Sequence, residues 1–357
     1  MSLAELRLED LRCLPAAQLM LHARLNLITG DNGSGKTSLL EAIYLLGRGR
    51  SFRTRHTEQL IRTGAPQLRV FGRVDSAGQV SHAIGVGCSR PGGVEARIDG
   101  RPVVSLAELS EVFPVQAIDP GIHRLVEEGP VQRRRWLDWA VFHVEPDFVR
   151  HWQGYSRALR QRNAALKCGA DPGLWDSELI RLGERLTLSR SSLIEALQPY
   201  WGAALQDLDA VPATLGYFRG WSREQDLAQA LSAHILRDRE RGSTSYGPHR
   251  FDVLLRIEGR PARDLVSRGQ QKLLGAAMAL AMSRYVASVA GVAPTLLLDD
   301  PAAELDRPHT EALLRAVAAM GGQLVVTALR LQDTPLGTPD RVFHVEHKQV
   351  KMDTKQL

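Results

Sequence analysis

Cysteine is scarce. Cys13, Cys88 and Cys168 stand apart in 357 residues, an odd number with no C-x-x-C pair and no companion histidine spacing, which excludes a disulfide framework and a zinc finger. A reducing, cytoplasmic setting fits that usage. The stretch from Met1 to Met20 lacks a basic region followed by an unbroken apolar run, so no signal peptide is expected. No apolar stretch of membrane-spanning length is expected either, and no membrane partner. Lysine occurs only at 36, 167, 272, 348, 351 and 355, so arginine supplies most of the 45 basic residues. Arginine grips phosphate with a two-pronged fork, although arginine enrichment is also what a GC-rich genome produces. The remaining composition is ordinary: 44% hydrophobic residues suffice for a core, and a net charge of +5 leans toward acidic partners such as nucleic acid.

Along the chain, Leu3, Leu6, Leu8 and Leu11, then Leu25 to Ile28, read as short strands, the second running into a glycine-rich turn and a helix around Ser38 to Leu46. From Leu68 to Val104, alternating segments separated by Ser76 to Gly78, Pro91-Gly92-Gly93 and Asp99-Gly100 predict an antiparallel meander. From Val131 to Asp207 the period becomes helical, with breaks expected at Pro146, Pro172 and Pro199, and a last helix is predicted from Arg223 to Arg241. Heptad order is poor, so a long coiled coil is not expected. Beyond Gly242 the α/β texture returns, with FDVLLRI, TLLLDD and QLVVTA as strands, and from Lys348 onward the chain reads as a polar tail. The division expected is 1–120 and 243–357 as two parts of one nucleotide-binding domain, with 121–242 inserted between them as an all-helical arm.

Gly30-Asp31-Asn32-Gly33-Ser34-Gly35-Lys36-Thr37, followed by Ser38, satisfies G-x-x-x-x-G-K-[ST] between an apolar strand and a helix. Glycines let successive backbone N–H groups turn toward phosphate, the helix N-terminus adds partial positive charge, Lys36 reaches the outer phosphates, and Thr37 is a ligand for Mg²⁺. Thr295-Leu296-Leu297-Leu298-Asp299-Asp300 is an apolar strand ending in two carboxylates. Asp299 is expected to hold Mg²⁺, and Asp300 to polarise an attacking water. Asp306 suits a helix cap.

Ser267-Arg268-Gly269-Gln270 opens a long apolar helix shortly before the acidic strand, and in that place it resembles the signature of ABC ATPases. The resemblance implies an α/β fold, namely an ABC-type P-loop ATPase head with a mixed sheet, helices and an antiparallel β subdomain, carrying a helical insert. It also implies that Ser267 and Gly269 contact nucleotide held by a second copy, and that Pro301 to Asp306 is the loop lining the same seam. Thr327 stands where many such proteins carry a switch histidine. Gln116 is the candidate for the glutamine that precedes the insert.

Further blocks narrow the likeness: SLLEAIYLLGRGRSFRT ending at Thr54, GPVQRRRWLDWAVF at Gly129 to Phe142, TSYGPHRFDV at Thr244 to Val253, and SRGQQK. In that order, along nearly the whole chain, they look like the RecF family. Two departures stand out: Arg12-Cys13-Leu14 replaces an aromatic and asparagine pattern, and Phe251 stands where an acid is common. Membership implies ATP and Mg²⁺ as cofactors and an ATP-dependent homodimer with slow DNA-dependent ATPase activity on double-stranded and gapped DNA. It further implies work beside RecR and RecO to promote RecA loading. The alternative is the nucleotide-binding subunit of an ABC transporter. Arg48, Arg50, Arg53 and Arg55 form either a DNA-facing or a merely solvated surface. For Arg133, Arg134 and Arg135 the choice lies between phosphate and internal pairing with Glu127, Glu128 and Asp138. Tyr246-Gly247-Pro248-His249-Arg250 reads as a tight turn with two cationic side chains.

Overall fold

The computed structural model describes residues 1–76, 80–90, 92–331 and 337–352, without the side chains of 303 and 304. Gly78 and Pro91, assigned to turns, lie outside the described residues, as does 353–357. The strands are β1 (Ser2–Leu11), β2 (Leu14–Met20), β3 (Leu25–Thr29), β4 (Gln67–Asp75) and β5 (Ser81–Ser89). Next come β6 (Gly93–Ile98), β7 (Arg101–Pro102), β8 (Val115–Ile118), β9 (Thr214–Phe218) and β10 (Asp252–Ile257). The last five are β11 (Arg260–Pro261), β12 (Thr295–Asp299), β13 (Leu324–Ala328), β14 (Arg341–Glu346) and β15 (Gln349–Met352).

Contacts divide the chain into two units, one of Met1–His123, Ala203–Ala210 and Arg268–Leu357, the other of Arg124–Gly202 and Val211–Ser267. The segment 243–267, assigned from the sequence to the C-terminal part, therefore clusters with the insert, because β10 pairs with β9.

In the first unit a central sheet runs β15-β14-β3-β13-β12-β8. Its four pairings from β14 to β8 are all parallel, and only the β14–β15 edge is antiparallel. Apolar runs such as TLLLD and LVVTA are buried at every position, as a sheet covered on both faces requires. Since β3, β8, β12 and β13 point the same way, their carboxyl ends share one edge, which is where ligands bind open parallel sheets. A second sheet, β2-β1-β4-β5-β6-β7, is the predicted meander with the N-terminal hairpin added. It packs against helix Lys36–Arg48 in one core that holds Leu3, Leu6, Ile43, Leu46, Leu68 and Val325. The approach is close enough that a Cβ on Gly72 would lie 2.4 Å from Leu46 Cδ1.

Helix Arg268–Ala290 has a window of mean hydropathy 1.5 and is long enough to cross a membrane, which corrects the expectation of no such stretch. Its window is 67% buried inside the protein, as befits a helix apolar all round. The supposed polar tail also begins as a strand: β15 pairs with β14 through the backbone, with little side-chain burial to betray it.

The second unit holds helices Pro130–Val144 and Phe148–Cys168, and helix Asp176–Asp207 as far as Gly202. The break expected at Pro199 does not occur, since the helix continues through it. Leu193, Ile194, Leu197 and Trp201 are buried on both sides of the proline, and that packing offsets the missing backbone donor. The single helix predicted over 223–241 is two, Leu227–Ala233 and Ile235–Arg241. Asp226 starts the first, accepting from Gln229 N at 2.7 Å while Gln229 Oε1 accepts from Asp226 N at 3.0 Å. Besides helices, the unit carries the small sheet β11-β10-β9.

Candidate nucleotide-binding site

The loop after β3 turns on glycines. Gly30 has φ +145° and a Cβ there would meet Val345 O at 2.3 Å; Gly35 has φ +118° and a Cβ there would meet Leu14 Cδ2 at 2.8 Å. Gly33, at φ +79°, faces open space, and Asp31 and Asn32 beside it are exposed. Helix Lys36–Arg48 then begins with no side-chain cap and no acid in its first turn, so its first N–H groups have no intrahelical partner and no carboxylate to satisfy them. Ser38 is buried in that turn.

Lys36 is 7% exposed. Its ammonium donates to the carbonyls of Gly30 at 2.6 Å and Asp31 at 3.0 Å. Burial pulls its pKa below the ordinary lysine value, while Asp300, Asp299 and Asp31 pull the other way. Ser34 Oγ is buried without a hydrogen-bond partner in the protein. A charged donor resting on neutral carbonyls, together with an orphaned hydroxyl on a glycine turn, is a donor set that suits phosphate.

The carboxylates meet this loop from β12. Thr37 Oγ lies 2.9 Å from Asp299 Oδ1 and 3.0 Å from Oδ2. A hydroxyl and a carboxylate at this separation are hard oxygen ligands of the kind Mg²⁺ takes. Asp299 pairs in register with Thr327 on β13, whose buried hydroxyl donates to Asp299 Oδ1 at 2.9 Å and accepts from Asp300 N at 2.9 Å. Asp300 itself is left-handed, at φ 47° and ψ 59°. Asp306 caps helix Arg307–Ala318 as expected, accepting from His309 N at 3.1 Å.

Ser267, Arg268 and Gly269 are exposed and Gln270 is half-buried. Arg268 Nη2 lies 3.2 Å from His123 Nε2, and His123 Nδ1 lies 3.0 Å from Pro120 O. Arginine can only donate, so His123 accepts through Nε2 and donates through Nδ1. His123 thus ties the start of helix Arg268–Ala290 to the loop after β8, a role the sequence left unmarked.

Gln116 is 8% exposed inside β8, in register with Leu296. Because Ile118 pairs with Leu298, the residue brought level with Asp299 is Asp119. Asp119 and Asp299 line a small void of about 20 Å³ with Lys272, Pro301 and Leu305. The register of β8 on β12, invisible in one sequence, sets Gln116 beside Leu296 and brings Asp119 to the level of Asp299.

Several arginines are spent internally. Glu41, 0% exposed, takes Arg12 in both oxygens at 2.8 and 2.9 Å, accepts from Ser51 Oγ at 2.6 Å, and lies 3.7 Å from Arg53. In the second unit Arg133 binds both oxygens of Asp252 at 2.8 and 2.9 Å, and Arg134 donates to Phe251 O at 3.0 Å. Internal pairing is therefore right for Arg133, though with a partner other than those anticipated. His249 is not a cationic side chain: burial pushes its pKa down to about 4. Its Nδ1 lies 2.7 Å from Tyr155 Oη and its Nε2 lies 3.1 Å from Thr244 O.

Comparison with known proteins agrees with this architecture. The RecF/RecN/SMC N terminal domain model matches residues 2–354. The chain is 39% identical over 363 residues to the DNA replication and repair protein RecF of Pseudomonas aeruginosa strain LESB58, covering 99% of this chain and 98% of that one. To the RecF of Stutzerimonas stutzeri it is 40% identical, covering 98% and 97%. A solved structure described as the recombination mediator protein RecF-ATP in the RecFOR pathway is similar at TM-score 0.88 and 26% identity, covering 99% and 97%. An SMC head bound to the C-winged helix domain of ScpA, at TM-score 0.58, 14% identity and coverage of 99% and 97%, shares the fold. On its own residues and on these likenesses alike, the chain belongs to the RecF family.

Proposed function

We propose that this chain is an ATP-binding recombination mediator of DNA repair and replication restart. In this reading it is a slow DNA-dependent ATPase, two copies of which join on ATP at double-stranded or gapped DNA and, with RecR and RecO, assist RecA loading. The observation that carries the reading is the meeting of Thr37 with Asp299 at 2.9 and 3.0 Å beside a glycine loop that holds Lys36. The 39% identity to a protein of DNA replication and repair, and the likeness to a recombination mediator described with ATP, support it. The net charge of +5 is compatible with DNA. No observation favours the transporter-subunit alternative.

The roles follow from chemistry. Lys36 and the loop N–H groups bind phosphate, and Thr37 and Asp299 are the residues that would hold Mg²⁺. When bound, that ion supplies neutralising charge to phosphate oxygens. Asp300 orients and deprotonates water, and as an aspartate it reaches less far than the glutamate usual at this place, which fits slow turnover. The exposed turn Ser267-Arg268-Gly269 supplies its contacts to nucleotide held by the other copy, so one copy alone is an incomplete site.

Sizing with ATP, MgCl₂ and a gapped duplex tests this. The wild-type chain is expected to pass from one copy to two on ATP, while Ser267→Ala binds ATP and stays single. A wild-type chain that binds ATP without pairing would refute the shared site.

A further inference from the structure

We infer that Thr327 is a positioning residue that sets the two carboxylates of the site. The inference rests on the nucleotide-site reading above and deepens it. Thr327 lies in the middle of the parallel sheet, 0% exposed, directly beside Asp299 in register. A hydroxyl has one proton to give and two lone pairs with which to accept. Here the proton goes to Asp299 Oδ1 at 2.9 Å, with Leu298 O a more distant alternative at 3.5 Å, and a lone pair takes Asp300 N–H at 2.9 Å. The donor is thus committed within the protein.

Each of the two bonds has a separate consequence. Asp299 has the Thr37 hydroxyl against both of its oxygens and accepts from Thr327 at Oδ1, so its carboxylate is oriented before any cation arrives. Ligands fixed by outer hydrogen bonds hold metals more tightly than ligands that must first be ordered. Asp300 sits at φ 47° and ψ 59°, a left-handed conformation costing about 1 kcal/mol or more for a residue with a Cβ. Its N–H needs an anchor to stay there, and Thr327 Oγ is that anchor. A single buried hydroxyl therefore couples the direction of the metal-facing acid to the backbone of the acid that follows it.

The test uses the full chain and ATPγS binding measured with MgCl₂ or with EDTA. Thr327→Val keeps the shape and removes both bonds, and Thr327→Ser keeps both. Loss of an outer-shell bond of this kind costs about tenfold to a hundredfold in metal affinity. The gain in ATPγS affinity that MgCl₂ gives the wild type is expected to shrink by about tenfold in Thr327→Val. Affinity in EDTA should not change, and Thr327→Ser should restore the gain. Should Thr327→Val not fold, the Thr327→Ala and Thr327→Ser pair carries the same comparison, with thermal melting as the check on folding. A Thr327→Val chain that keeps the full Mg²⁺ gain overturns the inference, as does an equal loss in EDTA and MgCl₂, the signature of a merely structural role. A wild-type chain that binds no ATPγS instead overturns the nucleotide site and the inference together.

Discussion

Lys36 in one unit and Arg162 in the other are both buried cations, and what they touch separates a receptor from a fastening. Lys36 rests on two neutral carbonyls, those of Gly30 and Asp31, beside an orphaned Ser34 hydroxyl. Arg162, 0% exposed, holds Asp176 Oδ1 at 2.7 Å, Asp238 Oδ2 at 2.8 Å and Thr244 Oγ1 at 2.8 Å. Its neighbour in kind, Arg190, also 0% exposed, takes Asp138 in both oxygens at 2.8 and 3.1 Å, donates to Pro248 O, and lies 3.9 Å over the Phe251 ring. Apart from Arg162 Nη2, which has no partner, those guanidinium contacts are closed by groups of opposite charge or by strong acceptors. A cation held by neutral carbonyls can exchange them for an anion, whereas one held by buried carboxylates cannot do so without leaving charge behind.

That contrast can be broken by mutation, most severely at the fastening. Arg162→Ala leaves Asp238, 1% exposed, without its counter-charge and should cost about 3 to 5 kcal/mol in urea unfolding. ATPγS affinity of the folded protein should hardly move. A loss below about 1 kcal/mol would mean that the network is ornamental.

Acid attacks the same unit more gradually. His249 has a folded pKa of about 4 against an ordinary 6.5. Its contribution is therefore fully present above pH 6.5 and is lost as pH falls toward 4, by roughly 3 kcal/mol in all. Unfolding midpoints followed from pH 7 to 4 should show that slope, and His249→Gln should flatten it. An unchanged slope in the variant would place the acid sensitivity elsewhere.

The smallest energetic effect belongs to the receptor. Lys36→Ala removes a charge-assisted contact worth about 1.5 to 3 kcal/mol, so ATPγS affinity should fall about tenfold to a hundredfold, measured by calorimetry. Stability should change little, since the hydrogen bonds lost go to neutral carbonyls and the burial cost of the cation is relieved, while Asp300, Asp299 and Asp31 lose a neighbouring positive charge. A marked drop in melting temperature would make Lys36 a fastening after all and erase the distinction.

The same contrast explains how much could be read in advance. The meeting of the glycine loop with the acidic strand was legible because each is a local pattern: eight consecutive residues set Gly30 to Thr37, and one apolar run delivers Asp299 and Asp300. The central strands were legible from their apolar runs, but their order was not, and without the register of β8 against β12 nothing separates Gln116 from Asp119. The partners of the buried arginines were illegible for a related reason. Arg133 and Asp252 are 119 residues apart and Arg162 and Asp238 are 76 apart, and a partner so distant leaves no local sign beside the arginine. Pro199 misled because proline states a local penalty, and the tertiary packing that outweighs it has no local sign.

The shape of Gly30 has a further consequence for how the chain comes together. A Cβ at this position is forbidden by Val345 O on β14, and Thr29 Oγ donates to Phe343 O, 314 residues away, at 3.3 Å. During synthesis the ribosome therefore releases the sequence of the phosphate loop long before it releases the backstop that gives the loop its form. The loop cannot take this form until β14, more than 300 residues further along, has been made and has paired, a non-local closure of the kind that slows folding.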